Sequence, residues 1–341
     1  MRHNLSHSTV WAYGFPQWKR KYVRRCLAGH DVQFLSLGSV VPPNGHLLLW
    51  GMMPPPDGCT QPILRMEDGF LRSVGLGADL VRPLSWVIDQ TGLYYDATRP
   101  SDLETLLATT VFSVDLCWRA ASLRERILAL GLTKYTLPGK KWQRPATQRR
   151  VSLVVGQVES DASLAFGAPG IRTNLGLLQA VRAAHPDAYL VYKPHPDVVA
   201  RLRSVGHGED EASAWCDEIV TDAPMESLLE QVDDVQVITS LAGFEALLRG
   251  RRVTCYGLPF YAGWGLTEDK LTCPRRGRIL SLDALVAAAL MLYPRYFSQM
   301  GMMDPETAVA SLAAWKQREA GRLHPFRGIY RFFLRRIAGV R

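Results

Sequence analysis

The stretch Tyr189-Leu-Val-Tyr-Lys193-Pro-His195-Pro-Asp197 joins a short apolar run to a loop that carries a cation and an imidazole. The apolar run has the length and composition of a buried strand, and the prolines that follow end it. In an open α/β sheet, ligands bind beyond the carboxyl ends of the strands. This stretch therefore predicts an α/β domain with a binding site at one sheet edge.

The same pattern of strands and helices continues on both sides of this stretch. The expected elements are strand Val151–Val155, helix Asn174–Ala184, strand Tyr189–Lys193, strand Glu218–Val220, helix Met225–Gln231 capped by Asp222, strand Val235–Thr239, helix Ala242–Arg249 and strand Val253–Tyr256. Alternating strands and helices are typical of a parallel sheet with helices on both faces. We therefore expect a doubly wound second half of the chain.

The first half is predicted to be a second α/β unit. Its expected elements are strands Thr9–Gly14, Val32–Leu37, His46–Trp50 and Ile63–Met66, a helix at Gln17–Leu27, and a helical stretch from Ser101 to Leu130. Ser101 and Glu104 have the spacing of a capping box. Periodicity is lost between Thr133 and Arg150. We expect domains at 1–145 and 146–295, followed by C-terminal helices and a tail at 296–341.

Composition indicates a folded protein without a membrane span. Of 341 residues, 47% are hydrophobic and 21% charged, and no apolar run is long enough to cross a bilayer. The longest candidate, Leu282–Leu292, suits a buried helix, and the N-terminus lacks the apolar core of a signal peptide. The six cysteines form no Cys-x-x-Cys pair. We therefore expect reduced thiols and a cytoplasmic location.

The net charge of +8 is concentrated at the C-terminus, where Lys316 to Arg341 holds eight basic residues against one acid, Glu319. Aromatic and aliphatic residues recur there at helical spacing beside a stripe of arginines; they are Phe326, Ile329, Tyr330, Phe333 and Ile337. A basic amphipathic helix suits an anionic membrane surface. The alternative is a terminal helix packed on the protein with solvated arginines. Because the rest of the chain is nearly neutral, nucleic acid is not an expected partner.

Several polar residues at the expected sheet edge suit a nucleotide. Ser240 stands at the start of a helix, where free N–H groups and the helix dipole favour phosphate. Lys193 and His195 could neutralise the same anion, and Glu245 could accept the hydroxyls of a ribose. Each of these residues also has an alternative interpretation that involves no ligand. In that interpretation Ser240 is a plain N-cap, Glu245 is a solvated helix residue and Pro194-His195-Pro196 is a rigid turn.

Three carboxylates are candidate catalytic residues. Asp161 follows a predicted strand in a loop of small residues, where a carboxylate could attack a sugar carbon or act as a base. The alternative is a cap or turn aspartate. Glu67 and Asp68, in a predicted loop after the strand Ile63–Met66, would face Asp161 across a cleft between the domains. No metal is expected, because His195 has no His or Cys partner at ligand spacing and no Asp-x-Asp stands in this region.

Five ordered motifs resemble the KpsC-type capsular polysaccharide β-Kdo transferases. They are Glu67-Asp-Gly-Phe-Leu-Arg-Ser-Val-Gly-Leu-Gly77, Gly156-Gln-Val-Glu-Ser-Asp161, Tyr192-Lys-Pro-His-Pro196, Ser240-Leu-Ala-Gly-Phe-Glu-Ala246 and Pro259-Phe-Tyr-Ala-Gly-Trp-Gly-Leu266. The resemblance implies an α/β, GT-B-like fold of two Rossmann-type domains with the active site in the interdomain cleft. It also implies the donor CMP-β-Kdo, no cofactor, and transfer with retention of configuration.

The resemblance further implies a place of action. Such enzymes build a short β-Kdo linker on a phospholipid-type acceptor or on lipid-linked Kdo, at the inner face of the cytoplasmic membrane. Their partners are other capsule assembly and export proteins.

Roles for individual residues follow from the matching motifs. Asp161 would be the nucleophile that carries the sugar. Lys193, His195 and Ser240 would hold the CMP phosphate, with Glu245 on the ribose and Gln157 in the same donor-binding set. Glu67, with Asp68 as its rival, would deprotonate the acceptor. Arg72 and Arg82 would meet Kdo carboxylates, or would form ordinary salt bridges.

The chain departs from the family in length, because the familiar enzymes carry two such modules and this chain carries one. The linkage and the need for a partner module stay open for that reason. Two other functions also stay open: a GT-B transferase that uses another nucleotide sugar, and a non-catalytic scaffold of the capsule machinery.

Overall fold

The structure, a computed structural model, describes residues 8–74, 82–134 and 139–320. They form two β-sheets with helices packed around them, which is a mixed α/β fold. The basic amphipathic helix expected near the C-terminus lies outside these residues.

The first sheet has seven strands in the spatial order β13-β12-β5-β4-β3-β1-β2. Their bounds are β1 Val10–Tyr13, β2 Val32–Leu35, β3 His46–Trp50, β4 Ile63–Asp68, β5 Ser85–Asp89, β12 Arg295–Ser298 and β13 Gly301–Met303. β1 to β4 pair in parallel, whereas β5, β12 and β13 run antiparallel to their neighbours. The parallel strands β1, β3 and β4 therefore end at one edge of this sheet.

The second sheet has six strands, all parallel to their neighbours, in the order β11-β10-β9-β6-β7-β8. Their bounds are β6 Val151–Val155, β7 Tyr189–Lys193, β8 Glu218–Ile219, β9 Asp234–Val237, β10 Arg252–Cys255 and β11 Glu268–Asp269. Alternate residues of β6 face opposite cores, Val154 on one side and Leu153 and Val155 on the other. The expected parallel sheet with two covered faces is confirmed, and the strand order reverses between β6 and β9.

Ten α-helices lie within the described residues. They are α1 Gln17–Cys26, α2 Asp102–Thr109, α3 Val114–Ala129, α4 Ala162–Gly167, α5 Asn174–Ala184, α6 Pro196–Val199, α7 Met225–Leu229, α8 Leu241–Leu248, α9 Leu282–Val286 and α10 Pro305–Ala320. A π-helical segment, Ala287–Leu292, extends α9, so Leu282–Leu292 is helical and mostly buried, as expected. No helix in this part of the chain is both long and apolar enough to cross a membrane.

One expectation about local structure was confirmed in part, and two were wrong. The stretch from Ser101 to Leu130 is two helices, because α2 ends at Thr109 and Ser113 caps a new helix. Helix α7 begins after Pro224, so Asp222 does not cap it. The C-terminal segment begins with strands rather than helices, because Tyr296 and Phe297 are buried on opposite faces of the first sheet, as period-2 alternation requires.

The two sheets share one hydrophobic core. Phe70, just beyond β4, stacks on Phe260, which follows β10 in the second sheet, with ring centroids 4.5 Å apart. Phe244 of α8 packs against both rings. Aromatic side chains of this size contribute much of the apolar area that a core removes from water. The packing therefore fixes the two sheets relative to each other.

A buried cluster of ion pairs also connects the first half of the fold to the second. Ser101 Oγ accepts the N–H of Glu104 at 3.0 Å, which is half of the expected capping box. The Glu104 side chain turns away from the helix end and binds Arg275 Nε at 2.6 Å and Arg276 Nε at 2.9 Å. Arg276 also donates to the carbonyl of Pro259 at 2.5 Å. Helix α2 is thereby tied to the loop after β10.

Replacing Glu104 by Gln should lower the free energy of unfolding by about 3 kcal/mol, because it leaves the guanidinium of Arg276 buried without its counter-charge. Only 3% of the Arg276 side chain is exposed. Glu268→Gln is the control, since its partner Lys270 is solvent-exposed and the loss should stay within about 1 kcal/mol. Urea denaturation measures the loss of unfolding free energy in both variants. Equal losses would contradict the stabilising role assigned to the Glu104–Arg276 ion pair.

Candidate active site

One cavity of about 640 Å³ lies where the carboxyl ends of strands from both sheets meet. Of the ten residues predicted from the sequence, eight line it: Glu67, Asp68, Gln157, Asp161, Lys193, His195, Ser240 and Glu245. They come from positions far apart in the chain and from both halves of the fold. The structure therefore brings most of the predicted site together.

Asp161 lies at the cavity wall as the N-cap of α4. Its Oδ1 accepts the N–H of Ser163 at 3.4 Å, a long hydrogen bond, and the side chain is exposed. Within the described residues no other donor lies at hydrogen-bond distance from this carboxylate. Asp161 is thus a capping aspartate, as the alternative without a catalytic role predicted. It is also an accessible carboxylate in the cavity.

Glu67 and Asp68 lie on the last two positions of β4, not in a loop after the strand as expected. The Asp68 carboxylate is occupied by Arg72 Nε at 2.7 Å and by Trp86 Nε1 at 2.9 Å. Both carboxylate oxygens of Asp68 are therefore engaged by side chains of the protein.

Glu67 has a different environment from its neighbour. It accepts the backbone N–H of Asp68 at 2.9 Å and the hydroxyl of Tyr95 at 3.3 Å. Burial, and next the negative charge of Asp68, raise the pKa of Glu67 to about 7. A carboxyl group with a pKa near neutrality suits proton transfer, so the geometry favours Glu67 over Asp68 as the acid or base.

Lys193 ends β7 and carries a largely buried ammonium group. Burial lowers the pKa of Lys193 to about 8, and the nearby carboxylate of Asp222 partly opposes this shift. At pH 7 the side chain is still mainly protonated. It provides a positive charge at the carboxyl edge of the second sheet, as predicted.

His195 contributes a donor rather than a charge. Its Nδ1 accepts the N–H of Asp197 at 3.1 Å, which places the proton of the neutral ring on Nε2. Burial lowers the pKa of His195, although Asp197 and Asp161 act in the opposite direction. We expected His195 to help neutralise an anion; the structure makes it a neutral N–H donor near Asp161.

Ser240 and Glu245 place α8 at the same wall. Ser240 Oγ caps the helix by accepting the N–H of Ala242 at 3.3 Å, and the first N–H groups of α8 lie at the cavity. Glu245 is buried, which raises the pKa of its carboxyl. Its Oε1 already accepts the backbone N–H of Lys134 at 2.8 Å. Glu245 is therefore not a solvated helix residue, which was the alternative interpretation from the sequence.

Gln157 clamps the ends of two neighbouring strands. Its Oε1 accepts the N–H of Thr239 at 2.8 Å, and its Nε2 donates to Thr239 Oγ1 at 3.0 Å. Both ends of the amide are engaged within the protein. The structure thus assigns Gln157 a positioning contact between β6 and β9, beside the donor-binding role expected for it.

The two arginines expected at the site do not line the cavity. Arg72 is buried behind Asp68 and binds its carboxylate. The guanidinium of Arg82 lies 4.7 Å from the ring centroid of Trp315 in α10. The alternative of an ordinary salt bridge therefore describes Arg72, whereas Arg82 makes a cation–π contact instead.

The sequence did not single out three residues that line the cavity, Tyr95, Lys134 and Asp222. Lys134 lies in the segment that lacks periodicity, and Asp222 was assigned to a helix cap. A signal existed for Asp222, because Pro224 two residues later marks the start of the helix. No such signal existed for Lys134, whose place depends on contacts with distant residues.

The arrangement suits transfer between two bound molecules. One wall carries a cation, an N–H donor and a helix start, which suit phosphate. The facing wall carries a carboxyl group with a pKa near 7, and an accessible aspartate lies beside them. No group of three His, Cys, Asp or Glu side chains within the described residues could hold a metal ion.

The family model described as "Capsule polysaccharide biosynthesis protein" matches residues 60–121 and 140–296, which include nearly all of the cavity wall. The chain belongs to this family. The resemblance to the KpsC-type capsule proteins is confirmed. Between the two matched ranges lies the segment with Lys134.

Two curated proteins are similar in sequence to about three-quarters of this chain. The chain is 44% identical over 272 residues to the capsule polysaccharide modification protein LipA of Neisseria meningitidis serogroup A, covering 79% of this chain and 38% of LipA. It is 45% identical over 263 residues to the lipopolysaccharide-processing protein LpsZ of Rhizobium meliloti, covering 75% of this chain and 59% of LpsZ. The chain thus spans only part of the length of these relatives.

Two solved structures from Thermosulfurimonas dismutans KpsC superpose on almost the whole chain. The β-Kdo 2,7 transferase matches with a TM-score of 0.76 and 38% identity, covering 90% of this chain and 99% of that one. The β-Kdo 2,4 transferase matches with a TM-score of 0.77 and 29% identity, covering 91% and 100%. The fold of a single KpsC transferase unit therefore accounts for most of this chain.

We predict that Glu67 titrates with a pKa of about 7, as its burial and the charge of Asp68 require. Its carboxyl is protonated below this pH and ionised above it. Carbon-13 NMR of labelled glutamate side chains measures the titration, and the signal that disappears in Glu67→Gln identifies the residue. Asp68→Asn should lower the pKa because it removes the neighbouring negative charge. Titration near the ordinary glutamate value would contradict this prediction.

Proposed function

We propose that the protein is a retaining β-Kdo glycosyltransferase that moves Kdo from CMP-β-Kdo to a glycolipid or Kdo-terminated acceptor in capsular polysaccharide synthesis. The observation that carries the proposal is a cavity in which Asp161 and Glu67 lie with Lys193, His195 and Ser240. The match to two Kdo transferases over nine-tenths of the chain supports it. Two sheets that face one cavity also support a GT-B-like fold of two Rossmann-type domains.

The donor phosphate would bind at the second sheet. Lys193 supplies positive charge, His195 supplies its Nε2 hydrogen, and the N–H groups at the start of α8 supply further donors beside Ser240. All three stabilise the negative charge that develops on the departing CMP. Glu245 lies one turn further along α8, where its carboxylate would contact the ribose.

Asp161 would form the first new bond. One oxygen of its carboxylate attacks the anomeric carbon of Kdo, and the bond from that carbon to the phosphate oxygen breaks, so that CMP leaves with the bonding electron pair. The product of this step is a glycosyl ester on Asp161. The accessible position of Asp161 and its single long hydrogen bond leave an oxygen available for this attack.

Glu67 would activate the acceptor in the second step. Its ionised carboxylate removes the proton of the acceptor hydroxyl, whose oxygen attacks the anomeric carbon while the ester bond to Asp161 breaks. Two displacements at one carbon retain its configuration. A pKa near 7 allows Glu67 to accept this proton and to release it to water near neutral pH.

The proposed setting is the inner face of the cytoplasmic membrane, where the acceptor lipid would be held. Peripheral attachment through the basic C-terminal tail, and work beside other capsule assembly and export proteins, belong to the same proposal. A single transferase unit in this chain would add one kind of Kdo linkage.

Release of CMP from CMP-β-Kdo, with transfer to a Kdo-bearing glycolipid, tests the proposed function. Asp161→Ala should lower the rate about a thousandfold or more, because the nucleophile is lost. Asp161→Asn keeps the helix cap and should lose as much activity while remaining as stable as the wild type. Turnover of a UDP-sugar and not of CMP-β-Kdo would assign another donor, and no turnover of either would favour a scaffold.

A further inference from the structure

Lys134 is held at the boundary between the two halves of the fold. Its backbone N–H donates to Glu245 Oε1 of α8 at 2.8 Å. Its carbonyl accepts the N–H groups of Arg72 and Ser73, each at 3.2 Å, from the segment after β4. Two opposing sets of hydrogen bonds thus fix the backbone at this position, where Lys134 lines the cavity.

The ammonium group of Lys134 acts on several groups of the cavity. Burial raises the pKa of Glu67 on one wall and of Glu245 on the other, and the positive charge of Lys134 partly opposes both shifts. Burial lowers the pKa of His195, and the charge of Lys134 acts in the same direction. Coulomb interactions of this kind fall off with distance. The charge of Lys134 therefore acts on groups of both walls of the cavity.

Two lysines lie among the described residues that line the cavity. Apart from His195, whose pKa is lowered by burial, the basic lining residues described are Lys134 and Lys193, and Arg72 and Arg82 do not line the cavity. CMP-Kdo presents two anionic groups, the phosphate and the carboxylate attached to the anomeric carbon. Lys193 lies with His195 and Ser240 at the phosphate end.

We propose that Lys134 binds the carboxylate of the transferred sugar and thereby selects donors whose sugar is acidic. This inference rests on the proposed function and deepens it. The carboxylate and the bond that breaks share one carbon, so a cation of this cavity that binds the carboxylate holds that carbon beside Asp161 and Glu67. A donor with a neutral sugar would bring no counter-charge to this position and would lose the contact.

The test compares the affinities of CMP and CMP-β-Kdo, measured by isothermal titration calorimetry. All proteins carry Asp161→Asn so that the donor is not consumed. Adding Lys134→Gln should weaken CMP-β-Kdo binding about tenfold or more, because a charge-assisted contact is lost. CMP lacks the sugar carboxylate, so its affinity should change less than about twofold.

Lys193→Gln is the matched control, and it should weaken the binding of both ligands because both carry the phosphate. Lys134→Arg keeps the charge and should recover part of the lost CMP-β-Kdo affinity, which a merely structural role would not require. Equal losses for CMP and CMP-β-Kdo in Lys134→Gln, or no loss for either, would overturn the inference.

The outcomes separate this inference from the proposed function. If the wild type releases CMP from CMP-β-Kdo while Lys134→Gln binds both ligands normally, only the role of Lys134 fails. If the wild type neither binds nor consumes CMP-β-Kdo, the proposed function fails and this inference fails with it.

Discussion

The buried carboxylate of Glu104 holds together two parts of the chain that are far apart in sequence. It pairs with Arg275 and Arg276, and Arg276 in turn binds the carbonyl of Pro259. Together with the stacked rings of Phe70 and Phe260, this ionic tie fixes how the edges of the two sheets face each other. The cavity depends on that orientation, because neither sheet supplies all of its polar groups.

The carboxyl ends of the strands position most of the polar groups of the cavity. β4 presents Glu67 from one sheet, and β7 presents Lys193 from the other, at the edges that meet in the cavity. The Gln157–Thr239 clamp keeps the ends of β6 and β9 in register beside them. The adjacent residues Glu67 and Asp68 have different surroundings. Burial and the charge of Asp68 raise the pKa of Glu67 to about 7, whereas the Asp68 carboxylate is bound by Arg72 and Trp86.

The second sheet and its binding loops were predictable because buried parallel strands appear in sequence as short apolar runs, each followed by a polar loop. The strand Tyr189–Lys193 and the helix Asn174–Ala184 have the predicted bounds. The strand β12 and the cavity position of Lys134 were not predictable, because they depend on contacts with residues far away in the sequence, in β5 and α8 respectively. Arg72 was misplaced for a different reason: its partner Asp68 is only four positions away, but the sequence does not show that the two side chains bind each other.

The central claim is that Asp161 takes the sugar covalently while the residues at the phosphate end hold the nucleotide. The most direct measurement is mass spectrometry of the protein quenched after mixing with CMP-β-Kdo in the absence of acceptor, using Glu67→Gln to slow the second step. We expect an added mass of one Kdo residue on the peptide that contains Asp161, absent in Asp161→Ala. Release of CMP without any adduct, or an adduct on another residue, would contradict it.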